Sequence, residues 1–380
     1  MKFQINSDNF VNALSKLSFV IPARTTHPQL NNILFKLEGN TLTLLATDLE
    51  IFIRCKLEIA GEADGIITID AKKLIELTKT LPSENLIIET DDSNRFNIKT
   101  RRGGFTLPGL SADDFPEPEE ENYKSKISID GGILRSFFSK VMHATSSEEL
   151  RRNMNGILIE INGDELRVVA TDGFRLGKIV KNGFNHPDIA DNKMIIPNKT
   201  STLFMRLNNN NECEISYNEN FIKFCFEEIE VFSRLIDDIF PNYDSVIPKD
   251  NDKTLKVLKR DLVDSLRRAE VIADNVTKRV KLDINSSVLK INSVNSEIGA
   301  EADESIECEF SSKDGSENFD ENPFSIAFNA KYLLDCLQQI DSTEVKFTFS
   351  TYSKASIVYP TEKNDDTIEQ MELVMPIRMG

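Results

Sequence analysis

The segments ILFKLEGNTLTLLATD (33–48) and ILIEINGDELRVVATD (157–172) are equal in length, lie 124 residues apart and share the ending Ala-Thr-Asp. Alternating apolar residues flank a polar turn in each, at Gly39-Asn40 and Gly163-Asp164, which is the pattern of a β-hairpin. VKLDINSSVLKINSVN (280–295) is a third copy that keeps the alternation and the turn but has lost Ala-Thr-Asp. Self-similarity at a period of about 125 residues marks a chain built from three like units.

Upstream of each hairpin a short strand pattern leads into a helical one, over 3–21, 127–145 and 255–273. Phe10, Leu14 and Leu17 correspond to Leu134, Phe138 and Val141, then to Leu262, Leu266 and Ala269. That i, i+4, i+7 spacing predicts one buried helix face. Downstream, 69–90, 196–217 and 328–349 read as strand, helix and strand, with a lysine three residues after each opening apolar position (Lys72, Lys199, Lys331). Further alternating strands follow, so each repeat is itself two similar strand–helix–strands halves. DDFPEPEEENYKS (113–125) and FPNYDSVIPKDND (240–252) are Pro-containing acidic linkers that close the first two repeats. The fold class is α+β, with three similar domains expected over 1–125, 126–250 and 251–380.

The composition of the 380 residues, 40% apolar with 16 Gly and 13 Pro, is that of a soluble globular protein. No apolar run approaches the roughly 18 residues of a membrane span. The opening MKFQINSDNF has no apolar stretch of signal-peptide length, so a cytoplasmic location is expected. Five cysteines form no Cys-x-x-Cys pair and histidines occur only at 27, 143 and 186. Neither a disulfide framework nor a metal site is expected, and no cofactor.

The 45 basic and 62 acidic residues leave a net charge of −17, which on its face argues against a nucleic-acid partner. The charge is unevenly spread, however. The helical windows 9–17, 71–81, 131–144, 197–207, 259–270 and 329–340 carry 13 basic and five acidic residues. Lysine and arginine are good helix formers on any solvated face, but so is glutamate, and only Glu76 and Glu270 occur in these windows. Six such helices lining one surface would make it positive inside an acidic shell.

The threefold repeat, ATDGFRL (170–176), FPNYDSVIP (240–248) and the closing MPIR (375–378) resemble the bacterial sliding clamp family, the beta subunits of DNA polymerase III, along the whole chain. The resemblance implies a DNA-clamp fold and a head-to-tail homodimer closing a six-domain ring. Helices would line the hole and antiparallel sheets the rim. Duplex DNA would pass through without sequence preference, tethering the polymerase with no bond made or broken and no catalytic residue. A ring holds DNA by topology, so a thinly positive bore suffices and tight, salt-sensitive phosphate contacts would only slow sliding.

The same resemblance implies a cleft between the second and third domains for short apolar, Gln-Leu-type motifs. Such motifs are carried by the replicative polymerase alpha subunit, the clamp loader, other polymerases and repair factors. The matching positions are Met154, Thr171, Gly173, Phe174, Arg175 and Leu176, then Pro241, Ser245 and Val246 of the second linker. Leu373, Val374, Met375, Pro376, Ile377 and Arg378 of the tail complete it. Leu176, Val246, Met375 and Pro376 would supply apolar walls, and Arg175 and Arg378 donors. Phe174, Ser245 and the pair Arg152 and Asn153 depart from the family's frequent His, Arg and aromatic residues.

DNA-facing candidates are Arg24, Lys72, Lys73, Lys79, Arg135, Lys140, Arg152, Lys199, Arg206, Arg267, Arg268 and Lys331. Arg24 and Lys199 match the family; the rest follow from the helix charge. For the dimer, Phe105 and Leu107 are expected to meet Val271 and Ile272 of a second copy, because the alternating GGFTLPGL otherwise leaves an open sheet edge. Two other readings compete. A scaffold that never encircles DNA would keep the cleft but not the bore. A hydrolase using Asp48 and Asp172 fails because the third repeat has Asn295 there, and those two aspartates read as turn formers.

Overall fold

The computed structural model describes residues 1–119, 123, 125–184, 192–208, 210–315 and 317–378. Part of the first linker, His186 and the last two residues fall outside them. All three hairpins form where the sequence places them: Asn32–Glu38 with Thr41–Thr47, Gly156–Asn162 with Glu165–Thr171, and Arg279–Ile284 with Val288–Asn295. Each is extended by a third antiparallel strand, Ile51–Glu58, Arg175–Lys181 and Ala300–Glu307 respectively.

Six α-helices are present among the described residues: α1 (Ser7–Leu17), α2 (Ala71–Thr78), α3 (Gly131–Val141), α4 (Asn198–Leu207), α5 (Lys259–Ile272) and α6 (Ala330–Gln339). Each begins directly where a strand ends. Asn6, Asp70, Asp130 and Asn329 sit at four of these junctions and accept a backbone N–H from the first turn, which halts the strand and starts the helix. The nine residues of the i, i+4, i+7 pattern, Phe10 to Ala269, are all buried. None of the helices is long and apolar enough to cross a membrane. The five cysteines are all free thiols.

The chain forms two compact units, residues 1–135 with 199–235, and 136–198 with 236–380. The second repeat thus gives one half to each. Strand pairing between repeats explains the division. In the first unit, Ile229–Arg234 pairs with Ile51–Glu58, joining repeats one and two in a 13-stranded sheet. In the second unit, Ile368–Val374 pairs with Arg175–Lys181, joining repeats two and three in a nine-stranded sheet. Each joint links the third strand of one repeat to the last strand of the next.

The equivalent strands of the remaining pair have no such neighbour among the described residues. Ala300–Glu307 is the edge of a four-stranded sheet. Gly104–Leu110 pairs along Arg95–Lys99 and touches Gly65–Asp70 only through Leu110 and Gly109. A small apolar cluster also recurs. Leu34, Leu45 and Phe52 pack on Phe115 of the first linker, and Leu158, Val169 and Leu176 on Phe240 and Tyr243 of the second. Each linker is thereby pinned to its own hairpin.

Candidate functional site

The turn after the second hairpin shapes the region around the tail. Thr171 accepts from the Gly173 N–H and donates to the Arg175 carbonyl (3.1 and 2.8 Å). Asp172 Oδ1 accepts from the Phe174 and Arg175 N–H groups, both at 2.9 Å. Thr47 and Asp48 make the same bonds to Leu49, Glu50 and Ile51 in the first repeat. Oδ1 of each aspartate is thus spent on local backbone, the part of a turn former, and Oδ2 on a cation, Lys199 for Asp48 and Arg175 for Asp172. Gly173 takes φ +88°, where Leu49 bears +79°. A Cβ on Gly173 has room, its nearest neighbour being Arg151 Nη1 at 3.6 Å. Gly173→Ala is expected to lower the midpoint of urea unfolding by the equivalent of about 1 kcal/mol, purely through backbone strain.

Pairing with Ile368–Val374 then brings the tail to this turn. Arg175 lies opposite Val374 and Leu176 opposite Leu373. The Met375 N–H continues the ladder to the Phe174 carbonyl at 2.8 Å, and the Ile377 N–H reaches the Ala327 carbonyl at 2.7 Å. Leu176, Leu373 and Val374 are buried; Leu176 and Leu373 share a cluster with Tyr243, and Val374 belongs to the core of the third repeat. Phe174, Val246 and Met375 are exposed by 49%, 52% and 37%, so these three matched positions present apolar surface to solvent. Ser245, beside Val246, is exposed, and its hydroxyl caps the short 3-10 turn Tyr243–Ser245 by donating to the Asn242 carbonyl. Met154, Pro241, Pro376 and Ile377 are half-buried and Arg378 is exposed.

Arg175 departs from its expected part as a donor to ligands. It is turned inward, with Nε on Asp172 at 3.1 Å, Nη1 on Asp335 of α6 at 2.6 Å, and its guanidinium 4.5 Å from the centre of the Tyr332 ring. Burial alone would lower its pKa, but the two carboxylates hold it charged and raise it. Phe174 stacks on the other partner of that bridge, Tyr332, at 6.3 Å. The arginine is thus a strut between the turn and α6, leaving Arg378 as the accessible cation of the tail.

Three family models match the chain: the N-terminal domain of the DNA polymerase III beta subunit over residues 1–119, its central domain over 128–242 and its C-terminal domain over 244–378. The beta sliding clamp of Pseudomonas aeruginosa is 31% identical over 383 residues, covering the whole of both chains. The chain belongs to the DNA polymerase III beta subunit family. The beta sliding clamp of Caulobacter vibrioides is 30% identical over 94% of this chain and 95% of its own. The crystal structure of the P. aeruginosa DNA polymerase III subunit beta matches over the full length of both chains, with 30% identity and a TM-score of 0.92. The three-domain clamp fold and the non-catalytic role of a polymerase processivity factor come with that family.

For a beta subunit the state of the basic residues matters. Arg24, Lys72, Lys73, Lys79, Arg135, Arg152, Arg206, Arg267 and Lys331 are exposed. Arg206 lies over Phe19, and Arg267 stands 3.8 Å from Asp264. Lys199 is paired with Asp48, and Arg268 holds Glu304 through both Nε and Nη2 at 2.5 Å. Lys140 is mostly buried and bonds the Gln339 carbonyl, Asp341 and Gln370, so its protons are already engaged. Helix periodicity could not separate these three from the others, because their partners come from distant strands and loops. Phe105, on the open strand Gly104–Leu110, is exposed and Leu107 half-buried; Val271 and Ile272, the last residues of α5, are 82% exposed and half-buried.

Proposed function

We propose that two copies of this beta subunit associate head to tail into a ring around duplex DNA. What carries the reading is the repeated joint. The third strand of one repeat pairs with the last strand of the next twice within the chain, and the rule leaves Ala300–Glu307 and Gly104–Leu110 to be paired by a second copy. Phe105 and Leu107 then meet the partner's Val271 and Ile272. The contact is heterologous, and two of them close the ring.

The three domains run over 1–125, 126–250 and 251–380. Arg24, Lys72, Lys73, Lys79, Arg135, Arg152, Arg206, Arg267 and Lys331 face the DNA as exposed cations, Arg267 sharing its charge with Asp264. Lys140, Lys199 and Arg268 contribute less, each being neutralised by its own neighbours. The exposed apolar surface of Phe174, Val246 and Met375, together with the buried Leu176, Leu373 and Val374, takes Gln-Leu-type motifs. The replicative polymerase alpha subunit, the clamp loader and other polymerases and repair factors compete for it in the cytoplasm. Met154, Thr171, Gly173, Pro241, Ser245, Pro376, Ile377 and Arg378 frame it, while Arg175 acts beneath it.

Retention on DNA tests the ring. Protein loaded on a nicked circle is expected to stay bound through a wash at high salt and to leave within minutes once the circle is linearised. Equal loss from circular and linear DNA would replace the ring by a scaffold that binds partners without encircling the duplex.

A further inference from the structure

Three metal-ligating side chains converge inside the second compact unit. His143 lies on the 3-10 turn Met142–Ala144 that follows α3, Cys336 on α6 and Glu372 on Ile368–Val374. His143 Nε2 stands 3.5 Å from Cys336 Sγ and 3.2 Å from Glu372 Oε2, and all three ligand atoms lie within 4.8 Å of one another. Cys336 and Glu372 are completely buried. Glu372 Oε2 nevertheless has no aligned hydrogen bond among the described residues, and neither has His143 Nδ1. The ion-pair neighbour of Glu372 Oε2 is His143 Nε2, poorly aligned as a donor, so a cation held between the two would satisfy a buried oxygen that the imidazole serves imperfectly.

We propose that His143, Cys336 and Glu372 bind a single zinc ion. A tetrahedral zinc with bonds of about 2.3 Å to sulfur and about 2.0 Å to nitrogen and oxygen has an N···S edge of about 3.5 Å and an N···O edge of about 3.3 Å. The distances from His143 Nε2 reproduce those edges, and zinc binding would draw the third pair, Cys336 Sγ and Glu372 Oε2, from within 4.8 Å to an S···O edge of about 3.5 Å. Charge balances as well. A thiolate and a carboxylate cancel the two positive charges of zinc beside a neutral imidazole, so the loaded cluster is neutral in its dry setting.

The surroundings suit such a site. Gln370 Nε2 donates to Glu372 Oε1 at 3.1 Å, and Gln370 Oε1 accepts from Lys140 Nζ at 2.9 Å, so the carboxylate is oriented by a second layer of bonds. Gly177 flanks the cluster, and a Cβ there would stand 3.2 Å from Glu372 Oε2 and 3.3 Å from His143 Cε1. A side chain there would also meet Val141 Cα at 3.1 Å, so glycine is what lets the strand pass this close to both ligands.

Cobalt(II) is the direct probe. Full-length protein stripped with chelator and titrated with Co²⁺ alone is expected to show thiolate-to-cobalt absorption and tetrahedral visible bands. They should saturate at one ion per chain and be displaced by an equivalent of Zn²⁺. Cys336→Ser is expected to remove the thiolate band, and His143→Gln to weaken zinc by about 100-fold in competition with a chromophoric chelator. Should Cys336→Ser fold poorly, His143→Gln and the wild-type spectrum carry the test. Absence of a thiolate band in the wild-type protein, or zinc affinity unchanged in His143→Gln, would overturn the site.

Discussion

Deleting residues 375–380 is expected to weaken binding of a Gln-Leu-type peptide about 100-fold while the protein stays dimeric. Three physical terms are lost together. Met375 takes with it the exposed half of the apolar wall beside Phe174, Pro376 and Ile377 the segment fastened to Ala327, and Arg378 the accessible cation. A peptide anchored by one leucine-sized side chain and a few backbone bonds binds through a small number of strong contacts, so losing one wall costs about 3 kcal/mol, or roughly 100-fold in affinity. The fold survives because the deletion begins after Val374, the last residue paired with Arg175. Fluorescence anisotropy with a labelled peptide, alongside sizing chromatography, reads both quantities. Unchanged affinity would remove the assignment of the cleft to the tail.

The second large effect is at the open edges. Phe105→Glu combined with Val271→Glu is expected to yield monomers at micromolar concentration, with the mass from light scattering halved. Both side chains are exposed in the single chain, so the folded subunit tolerates the charges. In the ring each of the two contacts would bury carboxylates of like sign against apolar surface, at several kcal/mol per contact. The helical content of α5, which ends at Ile272, should be unchanged by circular dichroism. A dimer that survives both substitutions would put the interface elsewhere.

The local architecture was legible in the sequence because it rests on short-range periodicity. Hairpins announce themselves by alternation about a polar turn, and the helices by apolar residues at Phe10, Leu14 and Leu17 and their counterparts. What the sequence hid is non-local. Nothing in IEVFSR (229–234) or IEQMELV (368–374) tells which strand each will lie beside, since main-chain pairing is chemically the same everywhere. Arg175 looked like a donor to ligands because a charged residue in a turn is normally solvated. Only the fold brings Asp335 and Tyr332 from α6 to enclose it. The cluster of His143, Cys336 and Glu372 was invisible for the same reason. Its members are scattered over 230 residues with no ligand spacing, and the scarcity of histidine argued against any metal site.

Main-chain hydrogen bonds give both joints the same spacing, but side chains lock them differently. Across the first, Arg54 holds Glu230 at 3.0 Å; across the second, Leu176 lies opposite Leu373, both of them buried. One seam is thus clasped by charge and the other by apolar contact, so the chemistry of a joint is exchangeable while the spacing that the amides dictate is not.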